Sequence, residues 1–266
     1  MNIGFIGTGN MAGAMVAGLK HTHPDWHVHG YNRSQEKLLD LQNRYGLEPA
    51  DSLPELAAVS DYLIVAVKPQ GYDAMLAQLR PLLLPRHVVV TVAVGYGIER
   101  VQRNAGEHVK VVRSMPNTPA QIGAGMSALC ASDNVSEAER AVAKSIFESF
   151  GRAVFIDESQ FDIFSAVAGS LPAYVCVIIE ALADAAVQHG MPRQQAYGVI
   201  SQAVMGSAQL VRDSGRHPAE LKDQVCSPGG TTIAAIAALE AGGLRSTLIE
   251  AVGACVVRTK ELSGQK

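Results

Sequence analysis

Asn2-Ile3-Gly4-Phe5-Ile6-Gly7-Thr8-Gly9-Asn10-Met11-Ala12 decides the fold. A short apolar run with the length of a buried strand meets a glycine-rich turn. Apolar residues at helical spacing then run from Met11 to Leu19. Strand, tight turn and helix at this spacing form the Gly7-x-Gly9-x-x-Ala12 fingerprint of a dinucleotide site. The first glycine allows the turn, the second lets the backbone approach a pyrophosphate, and the small third residue lets helix and strand pack closely. The free N–H groups and positive dipole end of the helix favour the phosphates.

Working outward, further apolar runs at 26–31, 61–67, 88–94, 109–113 and 153–156 alternate with helical stretches. Ser34 reads as the cap of a helix through Arg44. Short apolar strands alternating with helices predict an α/β fold, with a parallel sheet covered on both faces. From 157 the β-branched runs give way to alanine-rich helical patterns, broken at Gly190-Met191-Pro192, 214–218 and 227–230. The expected division is 1–156 and 157–266.

The second strand ends at Asn32, Arg33 and Ser34, where NAD binders usually carry an acid for the ribose 2′-hydroxyl. An arginine and a hydroxyl suit a 2′-phosphate instead, so NADPH is expected, with NADH possible. Lys68, in Val67-Lys68-Pro69, follows the run at 61–67, at a carboxyl end of the sheet. Asn117, in Met115-Pro116-Asn117-Thr118-Pro119, sits in a proline-stiffened loop and offers a donor and an acceptor to a carboxamide. Ser227-Pro228-Gly229-Gly230-Thr231-Thr232 precedes a helical run and repeats the logic of the first loop. Its hydroxyls and free N–H groups suit a small carboxylate.

Composition limits the alternatives. Of 266 residues, 48% are hydrophobic and 18% charged, enough for a domain of about 150 residues plus a smaller one, and too apolar for wholesale disorder. A net charge of -3 offers no basic footprint for nucleic acid and no polybasic membrane anchor. Cys130, Cys176, Cys226 and Cys255 make no C-x-x-C pair and suit reduced thiols in the cytoplasm. His21, His23, His27 and His29 are completed by no cysteine or acid, so no metal is expected. The N-terminus lacks the pattern of a signal peptide. The apolar run at 173–179 falls short of the ~20 residues of a membrane span, so a soluble chain without a membrane partner is expected.

The stretch Leu221-Lys222-Asp223-Gln224-Val225-Cys226-Ser227-Pro228-Gly229-Gly230-Thr231-Thr232-Ile233 resembles the signature of the pyrroline-5-carboxylate reductases. The opening loop, Val67-Lys68-Pro69, Met115-Pro116-Asn117-Thr118-Pro119 and Gly169-Ser170-Leu171-Pro172-Ala173-Tyr174 match that family in order and spacing. The resemblance implies an N-terminal Rossmann domain, a doubly wound parallel sheet, with a C-terminal all-helical dimerisation domain. It implies NAD(P)H-dependent reduction of 1-pyrroline-5-carboxylate to L-proline by a homodimer, assembled further into a decamer of five dimers. It places Ile6, Gly7, Thr8, Gly9, Asn10 and Met11 on the pyrophosphate, and Asn32, Arg33 and Ser34 on the adenosine ribose. Ala66, Val67, Lys68 and Pro69 would line the nicotinamide side. Ser227, Gly229, Gly230, Thr231 and Thr232 would hold the substrate, with Glu158 and Gln224 near it. For the chemistry, the expectation is that Thr232 bonds the ring nitrogen, while Ser227 and the N–H groups of Gly230 and Thr231 fix the carboxylate.

The chain departs from the family at Leu171, where a second glycine is common, at Asp51-Ser52, and at Cys226, which reads as packing. Two rival readings are weaker. A β-hydroxyacid dehydrogenase needs a lysine in a long helix after the boundary, whereas the lysines there are Lys222, Lys260 and Lys266. A non-catalytic NADPH sensor has no use for a carboxylate cradle.

Overall fold

The short apolar runs fold as strands because a sheet covered on both faces buries every side chain along them. The computed structural model describes residues 1–263. Its strands are β1 (Asn2–Ile6), β2 (His27–Tyr31), β3 (Glu48–Pro49), β4 (Tyr62–Val65), β5 (Val88–Thr91), β6 (Lys110–Met115), β7 (Gly125–Ala131) and β8 (Gly151–Phe155). They form one sheet in the order β3-β2-β1-β4-β5-β6-β7-β8. The first six follow the doubly wound order 3-2-1-4-5-6, which reverses direction at β1.

Side chains alternate between two cores. Ile3, Phe5, Tyr62, Ile64, Val88, Val90 and Val112 face one layer, which includes α1 (Asn10–Thr22), α2 (Gln35–Tyr45) and α6 (Glu137–Glu148). Ile6, Leu63, Val65, Val89 and Val111 face the other, with α3 (Leu53–Val59), α4 (Tyr72–Leu79) and α5 (Ile98–Ala105). Ser34 is the N-cap of α2, as its position predicts, although its side chain makes no capping bond.

The sheet is not wholly parallel. β6 and β7 pair antiparallel, with Val112 opposite Ala131 and Met115 opposite Ala128. The loop between them holds a 3₁₀ turn, Thr118–Ile122, and reverses the chain without a crossover helix. β7 was not expected because Gly-Met-Ser-Ala-Leu-Cys-Ala carries no β-branched residue. It is a strand because β6 and β8 pair with both its edges.

The chain divides into two compact units. One is Met1–Gly169 with the described residues from Cys255 onward, and the other is Ser170–Ala254. The change of periodicity at 157 therefore lies inside the first unit. Beyond it come α7 (Phe161–Phe164), α8 (Leu171–Gln188), α9 (Arg193–Ser214), α10 (Pro218–Val225), α11 (Thr231–Ala241) and α12 (Leu244–Ser263). The helical stretch Glu158–Gln188 is long and apolar enough, by length and composition, to cross a membrane, which the run at 173–179 alone is not. Pro172 does not end the run. It stands in the first turn of α8, where a missing N–H costs little.

The first unit also contains a buried histidine. His87 is 2% exposed, with Nδ1 accepting from the Leu84 N–H at 2.9 Å and Nε2 lying 3.0 Å from the Ala57 carbonyl. Both contacts are satisfied by the neutral ring with its hydrogen on Nε2. Burial holds its pKa below the usual value, and Arg86 adds to this while Asp61 opposes it. As pH falls through about 6.5 the unfolded chain takes up a proton that the folded ring refuses, so stability is lost on the acid side. Urea midpoints at about pH 7.5 and about pH 5.5 should differ by less in His87→Gln than in the parent.

Candidate functional site

Reversal of strand order at β1 leaves a crevice at the carboxyl ends of β1, β2 and β4. The strand ends are tied there by Gly7 N–H to the Tyr31 carbonyl and Ala66 N–H to the Ile6 carbonyl, both 2.8 Å. Gly7 has φ +95°, and a Cβ on it would stand 2.9 Å from the Ala66 carbonyl oxygen, so only glycine makes this turn. Gly9 is the N-cap of α1, and a Cβ there would meet nothing within 4 Å, so the space before the helix is open. Between them Thr8 is 5% exposed, and its Oγ1 has no hydrogen-bond partner among the described residues. An orphaned buried hydroxyl beside unpaired first-turn N–H groups fits a polyanion such as a pyrophosphate.

Two cavities flank this loop. One, about 340 Å³, is lined by Ile6, Gly7, Tyr31, Asn32, Arg33, Val67, Lys68, Gly71 and Met75. The other, about 590 Å³, includes Thr8, Gly9 and Asn10 together with Lys37, Arg44, Tyr45 and Gln121. Most of the expected cofactor residues thus converge. Met11 belongs to the first turn of α1, Ser34 caps α2, and Pro69 opens a 3₁₀ turn, Pro69–Gly71, directly after Lys68. Tyr31, Gly71, Met75 and Gln121 were not anticipated. Gly71 and Met75 stand one helical turn apart just after Lys68-Pro69, a spacing visible in the sequence.

Asn117 departs from its expected role. Its Nδ2 donates to the Ala168 carbonyl at 3.0 Å and its Oδ1 accepts from the Met126 N–H at 2.9 Å. The amide latches the loop before β7 to the end of the first unit, and Asn117 does not line either cavity. Glu158 is similarly engaged. Its Oε1 accepts from Arg113 Nη1 at 3.0 Å and from the Ile98 N–H, at the start of α5, at 2.8 Å. The Arg113 guanidinium also lies 4.2 Å over the Phe161 ring. The arginine is nearly buried and needs this partner, a demand that a lone Arg in Val-Val-Arg-Ser-Met already signals.

In the second unit, α10 and α11 are joined by the Cys226-Ser227-Pro228-Gly229-Gly230 turn. Gly229 has φ +69°. The Gly230 N–H, expected to face a carboxylate, instead donates to the Ser227 carbonyl at 3.0 Å and closes the turn. The free donors shift to the first turn of α11, at Thr231, Thr232 and Ile233. Thr232 is half-buried, while Ser227, Thr231 and Gln224 are exposed. Ser227, Thr231 and Thr232 hydroxyls make no hydrogen bond among the described residues.

The Arg113 ion pair gives a stability test. Glu158→Ala leaves the guanidinium on Phe161 without its carboxylate and the Ile98 N–H without its acceptor. It should lose about 1–3 kcal/mol, discounted from the buried-pair range because Glu158 is partly exposed. Urea unfolding of the variant against the parent measures the loss.

Comparison with known proteins agrees with this geometry. Residues 158–262 match the family model for pyrroline-5-carboxylate reductase dimerisation, and residues 2–95 match that for NADP oxidoreductase, coenzyme F420-dependent. The chain is 41% identical over 263 residues to a pyrroline-5-carboxylate reductase of Escherichia coli (strain K12), covering 98% of each chain. It superposes with TM-score 0.93 and 34% identity on the pyrroline-5-carboxylate reductase structure from Coxiella burnetii, covering 100% of this chain and 98% of that one. On the Plasmodium falciparum pyrroline carboxylate reductase with NADP bound the TM-score is 0.85 at 29% identity, covering 99% and 98%. With sequence, fold and the order of its motifs in agreement over the whole length, the chain belongs to the pyrroline-5-carboxylate reductase family, NAD(P)H-dependent oxidoreductases of proline biosynthesis.

Proposed function

We propose residue roles for the family reaction in this chain, the reduction of 1-pyrroline-5-carboxylate to L-proline with NADPH as the preferred reductant. The observation that carries the reading is the buried Thr8 hydroxyl, without a hydrogen-bond partner among the described residues, beside the open Gly9 at the N-terminus of α1. Thr8, with its hydroxyl, and Gly9, Asn10 and Met11, with backbone donors at the start of α1, hold the pyrophosphate, while Gly7, whose own N–H is bonded to the Tyr31 carbonyl, makes the turn that admits it. Asn32, Arg33 and Ser34 hold the phosphorylated ribose, Arg33 by a charge-assisted contact. Val67 and Lys68, with Ala66 and Pro69 beside them, wall the cleft.

When bound, the nicotinamide would supply a hydride to the carbon of the protonated imine, whose proton, taken up from solvent, stays on the ring nitrogen of the amine formed. The protein orients the acceptor and complements its charge. Ser227 and the first-turn N–H groups of α11 hold the substrate carboxylate, now with Thr231 and Thr232 as the backbone donors in place of Gly230. The Thr232 hydroxyl bonds the ring nitrogen. Gln224 stands near the loop, and Glu158 acts through Arg113 and the start of α5.

A second copy of the chain completes the second unit. Among the described residues of Ser170–Ala254 only Ala183, Ala196 and Leu221 are buried, while Val177 (64%), Val225 (66%) and Ile249 (72%) are largely exposed. Such apolar helix faces call for a partner surface, and the match to a dimerisation model supports a homodimer; a decamer of five such dimers is the larger assembly proposed. The apolar surface of α8 is then covered by protein, in keeping with a cytoplasmic enzyme without membrane or nucleic-acid partners.

Loss of NADPH absorbance on addition of 1-pyrroline-5-carboxylate, with NADH in parallel, tests the reading. Proline should form, faster with NADPH. Thr232→Ala should lower kcat/KM roughly 5- to 150-fold, equivalent to about 1–3 kcal/mol, and Arg33→Ala should cut the NADPH-to-NADH preference by about tenfold. Full kcat/KM in Thr232→Ala would remove that residue from its role. Light scattering at micromolar protein should give a mass that is an even multiple of 28.1 kDa, and a monomer would refute the proposed assembly.

A further inference from the structure

Tyr72, the first residue of α4, is fully buried and does not line the cleft. Its hydroxyl donates to the carbonyl of Val65, the last residue of β4. It accepts from Thr91 Oγ1 at 3.1 Å and from the Val92 N–H at 3.2 Å, at the end of β5. The phenol oxygen thus has its donor and both acceptor positions filled. Burial pushes the phenol up to about 12, so the donated hydrogen stays in place at working pH.

A second layer braces the first. The Tyr96 ring lies 4.5 Å from the Tyr72 ring, and its hydroxyl donates to the Pro69 carbonyl at 3.3 Å. Arg100 sits 4.1 Å over the Tyr96 ring and pairs at 2.9 Å with Asp73, the next residue of α4. The chain between Val65 and Tyr72 is the turn that presents Val67, Lys68 and Gly71 to the 340 Å³ cavity. Within that turn, the Gly71 N–H donates to the Lys68 carbonyl and the Tyr72 N–H to the Pro69 carbonyl. The cluster therefore clamps the turn at its start, through Val65, and in its middle, through Pro69.

We infer that Tyr72, with Tyr96 packed on it, is a positioning residue for the dinucleotide: it sets where residues 66–71 stand against the end of β5, and so the width of the cleft. The inference rests on reading that cleft as the NADPH site. Loss of the hydroxyl takes that partner from the Val65 carbonyl and the Val92 N–H without touching the ligand; Val65 stays paired with Ile6 and Thr91 in the sheet, and the wall beyond it then moves among several positions of which few fit the dinucleotide.

The test is direct binding of NADPH to the full-length protein, followed by its fluorescence, alongside steady-state kinetics, for Tyr72→Phe and Tyr96→Phe. Kd and KM for NADPH should rise about tenfold in Tyr72→Phe and about threefold in Tyr96→Phe, a loss in the range of one or part of one hydrogen bond. KM for 1-pyrroline-5-carboxylate, and kcat at saturating NADPH, should stay within about twofold. A fall in kcat with both KM values and Kd unchanged is the pattern of lost active protein, and would overturn the inference, as would an unchanged Kd in both variants. If Tyr72→Phe does not fold, the Kd of Tyr96→Phe decides. A parent protein that binds NADPH but does not reduce the imine would refute the reductase reading, while the Kd comparison would still decide the role of Tyr72.

Discussion

Burial of β1 on both faces is the constraint on which the rest of the structure depends. Ile3 and Phe5 enter one core and Ile6 the other, so no side of the strand is left for a ligand. Polar chemistry is confined to the strand ends. There the order reverses, with β2 and β4 on either side, and the backbone must turn at Gly7 within contact distance of Ala66. The same packing that excludes water from the sheet leaves the Thr8 hydroxyl without a hydrogen-bond partner among the described residues. Stability of the sheet and readiness for an anion at its edge thus have one origin.

Around that edge, several polar side chains serve the architecture. Asn117 ties the loop before β7 to Ala168, Glu158 ties Arg113 to the start of α5, and Tyr72 ties β4 to β5. Each meets a demand created by burial, because a carbonyl, an amide N–H or a guanidinium removed from water needs a partner nearby. A polar residue close to a site can therefore belong to its frame rather than to its lining.

The second unit obeys a different balance. Its helices are rich in alanine and valine, yet they bury little within the chain, and large apolar residues such as Val177, Val225 and Ile249 face outward. Helix formation alone does not stabilise such surfaces, since most helical stability comes from packing an apolar face. A unit built this way is complete only when another surface covers it, which agrees with its match to a dimerisation family.

Local sequence determined the strand–turn–helix at the start, the strands at β1, β2, β4, β5, β6 and β8, the helix break at 190–192 and the glycine loop before α11. These are read from short-range periodicity and turn chemistry, and the backbone needs little else to adopt them. Tertiary structure decided what depends on partners distant in the chain. β7 is a strand only because its neighbours offer edges, and the sheet carries an antiparallel step for the same reason. The Gly230 N–H turned inward to Ser227, and Asn117 and Glu158 were claimed by Ala168, Met126, Arg113 and Ile98. A side chain's type shows which bonds it is able to make. Which of them it makes is settled by the groups that folding brings within about 3 Å of it.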